Sequence, residues 1–200
     1  MEKNFYKLDN FFESLIFYLK SNGLSHFESV IDSYKIAIKS SEEPEIAWHF
    51  KEYYRRNIDF PEFQNDFYKI IWDISQANLI IKRDKIKPKK IPLGLALQYV
   101  DISGIEWPRL AKAASNENPI IIVEYDPLNL SFVIDGNHRV YSRRNSPYKL
   151  IPAYILNTQQ SIESMAGELF RNIFKTHYNI TKIVNHGRNK SKLEQILLPV

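Results

Sequence analysis

The stretch ENPIIIVEYDPLNLSFVIDG, residues 117–136, constrains this chain more than any other. Residues 119–125, PIIIVEY, are rich in β-branched side chains, which pack well on a pleated surface, so they read as a buried strand. Asp126-Pro127-Leu128-Asn129 has the chemistry of a turn, and LSFVI, residues 130–134, reads as the returning strand of a hairpin. A chain with this segment must build a sheet and find elements to cover it.

Its neighbours supply candidates. Residues 95–102 read as a strand, and Ser103 with Glu106 has capping-box spacing for a short helix through Trp107, Leu110 and Ala111. Residues 150–156, LIPAYIL, read as a further strand, followed by a helix over 161–176 with Met165, Leu169, Phe170, Ile173 and Phe174 inward. The order β-α-β-β-α-β-α embeds one hairpin among alternating elements, so a mixed sheet is expected. The fold class is then α+β: a small mixed β-sheet with helices, preceded by an α-helical N-terminal region.

That region, residues 1–83, reads as four helices. Leu8, Phe12, Leu15, Ile16 and Leu19 form one apolar stripe, and Ser21-Asn22-Gly23 stops it. Ser25 and Glu28 suggest a capping box for a helix carrying Val30, Ile31, Tyr34 and Ile38. Pro44 suits the first turn of a helix over 45–56, and Asp59 with Pro61 the start of another with Phe63, Phe67, Ile70, Ile71 and Ile74 buried. Residues 82–92, with alternating lysines and two prolines, read as a connector, and residues 158–200 as a C-terminal helical extension.

Chemistry concentrates in FVIDGNHRVYSRRN, residues 132–145, a strand followed by Asp135-Gly136 and then a helix over 137–144. Gly136 permits a close backbone approach, and the unpaired N–H groups of a helix start favour an anion, most often a phosphate. Arg139 adds a forked, permanent cation, and Arg143, one turn on, extends the positive surface. His138 is a candidate acid/base or hydrogen-bond donor, and Asp135 can cap the helix, orient His138 or hold a divalent cation. The same letters also suit a purely structural turn with Asp135 as cap and Asn137 and His138 satisfied by local backbone.

Charge and composition narrow the classes. The chain has no cysteine, which excludes disulfides, thiolate catalysis and thiolate metal sites. No apolar run reaches the roughly 20 residues of a membrane span, and no signal segment is evident, so a soluble cytoplasmic protein with no membrane partner is expected. Residues 1–66 hold 8 Lys/Arg against 12 Asp/Glu, whereas residues 67–200 hold 19 against 11. The basic excess peaks in residues 82–90, KRDKIKPKK, and in Lys182, Arg188, Lys190 and Lys192. It suits a polyanionic partner, either nucleic acid or nucleotide phosphate, or else a solvated linker and tail.

Residues 91–157 resemble the ParB/sulfiredoxin-like superfamily. The resemblance rests on ENPIIIVEY, on LSFVIDGNHRVYSRR with its D-G-x-H-R pattern, and on LIPAYIL, in that order and at compact spacing. It implies a nucleotide phosphate site, for ATP or CTP with Mg²⁺, with Gly136, His138 and Arg139 in the phosphate-binding positions and Asn137 where sulfiredoxins carry their cysteine. Sulfinic-acid reduction is thereby excluded. The absence of a helix-turn-helix pattern after the motif argues against a complete partition ParB, while a likeness to DGQHR-type domains of DNA-modification systems keeps nucleic-acid work in view. Three functions remain open: hydrolysis or transfer of an NTP phosphoryl group, with Asp135 or His138 as catalytic base ahead of Asp101 and Glu106; a nucleic-acid-binding or cleaving module; and a non-catalytic interaction protein. The sequence leaves the oligomeric state unknown.

Overall fold

The computed structural model describes residues 7–47, 49–59, 67–146, 149–186 and 197–200. It is an α+β protein with N-terminal helices, a two-stranded hairpin, a mixed four-stranded sheet and a C-terminal helix. The chain divides into two units, one of residues 1–46, 55–71 and 165–200, the other of residues 47–54 and 72–164.

The first unit is mainly helical. Helices α1 (Leu8–Ser21) and α2 (Glu28–Ser40) follow the expected stripes, burying Phe11, Phe12, Leu15 and Leu19 from one and Ile31, Tyr34 and Ile38 from the other. Lys35 and Lys39 of α2 both reach the Asp9 carboxylate, at 2.8 and 2.7 Å, and hold its pKa down at about 2. The Ser25 capping box does not form: residues 25–27 make a 3-10 turn, and Phe27 precedes α2 without a side-chain cap.

The next two expected helices are strands. No helix occupies residues 45–56 among the described positions; β1 (Tyr53–Asp59) and β2 (Phe67–Asp73) pair as a two-stranded sheet, and α3 (Ile74–Arg83) begins only at Ile74. The spacing of Phe67, Ile70, Ile71 and Ile74 mimics a helical stripe, but residues 68–73 are all buried, Lys69 and Asp73 included, so both faces of the strand are covered and no exposed polar face marks the two-residue period. Asp73 ends the strand and caps the helix, its Oδ1 accepting the Gln76 N–H at 3.0 Å. Phe63 and Pro61 lie outside the described residues.

The expected helix over 161–176 divides into α7 (Thr158–Glu163) and α8 (Glu168–His186). Between them Ala166 donates its N–H to the Ile71 carbonyl at 2.9 Å, so the chain there serves the β2 edge and cannot continue a helix. Gly167 passes so close to Pro44 that a Cβ would lie 2.8 Å from the ring. In α8, Asn179 clamps the chain end, donating to the Leu198 carbonyl and accepting its N–H.

The second unit holds the sheet, in the order β3-β6-β4-β5. Here β4 (Ile120–Tyr125) and β5 (Leu130–Asp135) form the expected hairpin, while β4 and β6 (Leu150–Leu156) run parallel, with Ile120 beside Ala153. The fourth strand is not the expected 95–102 segment, which is helix α4 (Leu93–Gln98); it is β3 (Lys89–Pro92), drawn from the lysine-rich connector. Only Ile91 of β3 turns inward, while Lys89 and Lys90 stay exposed on an edge strand, where charge discourages pairing with other chains. Ile91, Leu93, Ala96, Ile120, Ile122, Val133, Val140, Ile151 and Ala153 form the core that seats the hairpin and the turn after it.

Candidate anion-binding site at the Asp135–Arg139 turn

Strand β5 delivers the chain to Asp135, and Gly136 turns it with φ +98° into helix α6 (Asn137–Ser142). That backbone region favours glycine. Space demands it too: a Cβ here would lie 2.5 Å from Ile120 Cγ2 and 2.8 Å from Arg139 Nη2. The helix is six residues long, shorter than expected, because Arg143 already has non-helical geometry at its end. Its first internal bond runs from the Val140 N–H to the Gly136 carbonyl at 3.0 Å, so the N–H groups of Asn137, His138 and Arg139 precede the ladder. A helix this short has a weak dipole, and side-chain charge must carry most of any anion affinity.

Arg139 folds back over Gly136. Its Nη2 donates to Asp135 Oδ2 at 2.9 Å and to the Pro119 carbonyl at 3.3 Å. The side chain is only 13% exposed, and its Nε is buried without a hydrogen-bond partner. A buried cation donor left unpaired is costly, so this geometry needs compensation. Asp135 therefore serves Arg139 and does not cap the helix, whose N-cap is Gly136.

The other motif residues hold the surrounding loops. His138 Nε2 accepts the Glu106 N–H at 3.0 Å, which places the proton of a neutral ring on Nδ1. Asn137 Oδ1 accepts the Asp101 N–H at 3.3 Å while Nδ2 donates to the Val133 carbonyl at 2.7 Å. Arg143 Nη2 donates to the carbonyls of Ala114 and Asn116, at 3.2 and 2.6 Å, securing the end of helix α5 (Leu110–Ala114). Asp101 caps the 3-10 turn over residues 102–104 through Ser103, so the expected Ser103 cap is replaced by Asp101. Glu106 pairs with Arg109 at 3.2 Å.

An open cleft of about 560 Å³ lies against this turn. Asp135, His138 and Arg139 line it from the motif, Arg109 from a 3-10 turn over residues 107–109, Lys112 from α5, and Glu52 from the segment before β1. Three permanent cations thus face two carboxylates. Arg143, Asp101 and Glu106 are not among its lining residues. Sequence reasoning missed Arg109 and Lys112; their three-residue spacing, which places both on one helical face, was the available signal. Nothing in the sequence marked Glu52, which the hairpin brings there.

Among the described residues no group of three His, Asp or Glu side chains forms a metal site, and no helix is long and apolar enough to cross a membrane. No family model, curated protein or solved structure matches the chain.

Proposed function

We propose that the cleft binds the phosphates of a nucleoside triphosphate, within a domain of ParB/sulfiredoxin-like architecture, and that the protein hydrolyses or transfers the terminal phosphoryl group. The observation that carries this reading is Arg139: a mostly buried guanidinium with an unpartnered Nε, at the wall of a cleft that also gathers Arg109 and Lys112. Forked N–H donors match phosphate oxygens, and clustered cations neutralise the charge of a leaving diphosphate. In the proposed step an acceptor oxygen, from water or a second substrate, attacks the terminal phosphorus, and the bond to the diphosphate breaks. Asp135 takes the acceptor's proton, and His138 offers Nδ1–H, since its Nε2 is occupied by Glu106. Asp135 and Glu52 would be the residues to hold Mg²⁺, with one or two carboxylates as is common for this ion, and it would supply neutralisation of the phosphate charge.

Calorimetric titration of ATP and CTP, with and without Mg²⁺, tests the proposal. Binding should be lost in Arg139→Ala, and unchanged affinity in that variant overturns the assignment. A second reading, a nucleic-acid-binding module, is favoured by the exposed Lys82, Lys85, Lys87, Lys89 and Lys90 of the same unit. Arg83 adds less, being tied to Asp84 and Glu163 at 2.7 Å each.

A further inference from the structure

We propose that the exposed ring of Trp107 is a stacking platform for a nucleobase whose phosphates occupy the cationic cleft; this rests on the phosphate reading above. Trp107 is 66% exposed, an unusual position for the largest side chain in the repertoire. Its ring is nevertheless held in place. Tyr141 meets it edge-on with centroids 6.2 Å apart, and the Arg144 guanidinium lies 5.6 Å over the indole and 4.6 Å over Tyr141. Arg144 is itself anchored, its Nη1 donating to the Tyr141 carbonyl at 3.2 Å. A cation over one part of the aromatic pair leaves the rest of the indole open to a flat ligand.

The platform and the cleft share their supports. Trp107 is followed directly by Pro108 and Arg109, which both line the cleft, and preceded by Glu106, whose N–H is fixed by the cleft residue His138. Tyr141 stands three residues beyond His138 on α6, about 4.5 Å along the helix axis. An aromatic surface two residues from Arg109 of the cationic cleft suits one ligand that carries both a base and phosphates. The base belongs either to a free nucleotide or to a single strand of nucleic acid, and both offer the same π-face.

The test compares ATP, inorganic tripolyphosphate and a short oligothymidylate on the wild-type chain, Trp107→Ala, Trp107→Phe and Arg139→Ala. Trp107→Ala should weaken ATP binding roughly fivefold to a hundredfold, leave tripolyphosphate unchanged, and be largely rescued by Trp107→Phe, while Arg139→Ala weakens both. The same Trp107 dependence for oligothymidylate but not ATP would support the platform with a single strand as the source of the base. ATP affinity unchanged in Trp107→Ala, with tripolyphosphate still bound, overturns the platform and leaves the phosphate cleft standing. A wild-type chain that binds none of the three ligands overturns both.

Discussion

Replacing Gly136 by alanine tests the geometry of the turn directly. At φ +98° an L-residue is strained by about 1–3 kcal/mol. The added Cβ would also meet Ile120 Cγ2 at 2.5 Å, and Ile120 is fully buried in the central strand β4 and has nowhere to go. Overpacking of this kind costs about 1–3 kcal/mol more, so the expected loss is about 2–6 kcal/mol. That is a large share of the roughly 5–15 kcal/mol that holds a domain folded. Part of the cost arises from Arg139, whose Nη2 and Nε lie 2.8 and 3.0 Å from the new methyl group. In an Arg139→Ala background that crowding disappears while the Ile120 clash and the backbone strain remain. Urea denaturation of the four proteins of this double-mutant cycle should show Gly136→Ala costing about 1 kcal/mol less without Arg139. A cost under about 0.5 kcal/mol in the wild-type background would refute the steric argument. Equal costs in both backgrounds would refute the placement of the guanidinium over the glycine.

Two further outcomes follow from other parts of the chain. His177 is buried in α8 beside the Tyr68 hydroxyl, and burial lowers its pKa from 6.5 to about 3. The unfolded chain then binds the extra proton between those values, so stability is full above about pH 6.5 and falls as the pH drops toward 3, with a loss of about 2 kcal/mol near pH 5. Urea midpoints of His177→Asn should vary less with pH between about 5 and 7 than those of the wild type; identical slopes would contradict this. If the exposed lysines bind nucleic acid, replacing Lys82, Lys87, Lys89 and Lys90 by glutamine should flatten the salt dependence of binding, by up to about 0.9 in log–log slope for each phosphate left unneutralised. An unchanged slope in a filter-binding series would remove that reading.

Where one face of an element is polar, the sequence discloses it. Helices α1 and α2 are legible because Asp9, Glu13 and Lys20 alternate with the apolar stripe of α1, and Asp32 and Lys35 do the same in α2. The β4–β5 hairpin is legible from its β-branched runs and its turn chemistry. Strand β2 is not, since its burial on both faces erases the alternation that separates strand from helix. Strand β3 is hidden for the opposite reason: a single inward residue, Ile91, carries it among lysines, and only pairing with β6 defines it. Of the candidate site, the sequence disclosed the turn at Gly136, whose positive φ and close neighbours require glycine, and the cation at Arg139. The spacing of Arg109 and Lys112 shows only that they share a face; that this face meets the turn, and that Glu52 joins it, depends on tertiary placement.

Asn137 has a consequence that reaches past its own turn. Val133 lies in β5, the edge strand opposite β3, yet its N–H is taken by the Tyr99 carbonyl at 3.0 Å and its carbonyl by Asn137 Nδ2 at 2.7 Å. One backbone oxygen and one side-chain amide thus stand in for the missing neighbouring strand. A side chain at position 137 without that amide would leave the Val133 carbonyl as an open acceptor on the sheet edge, the kind of group to which another strand can pair. Asn137 and Tyr99 together thus cover the Val133 position of this edge.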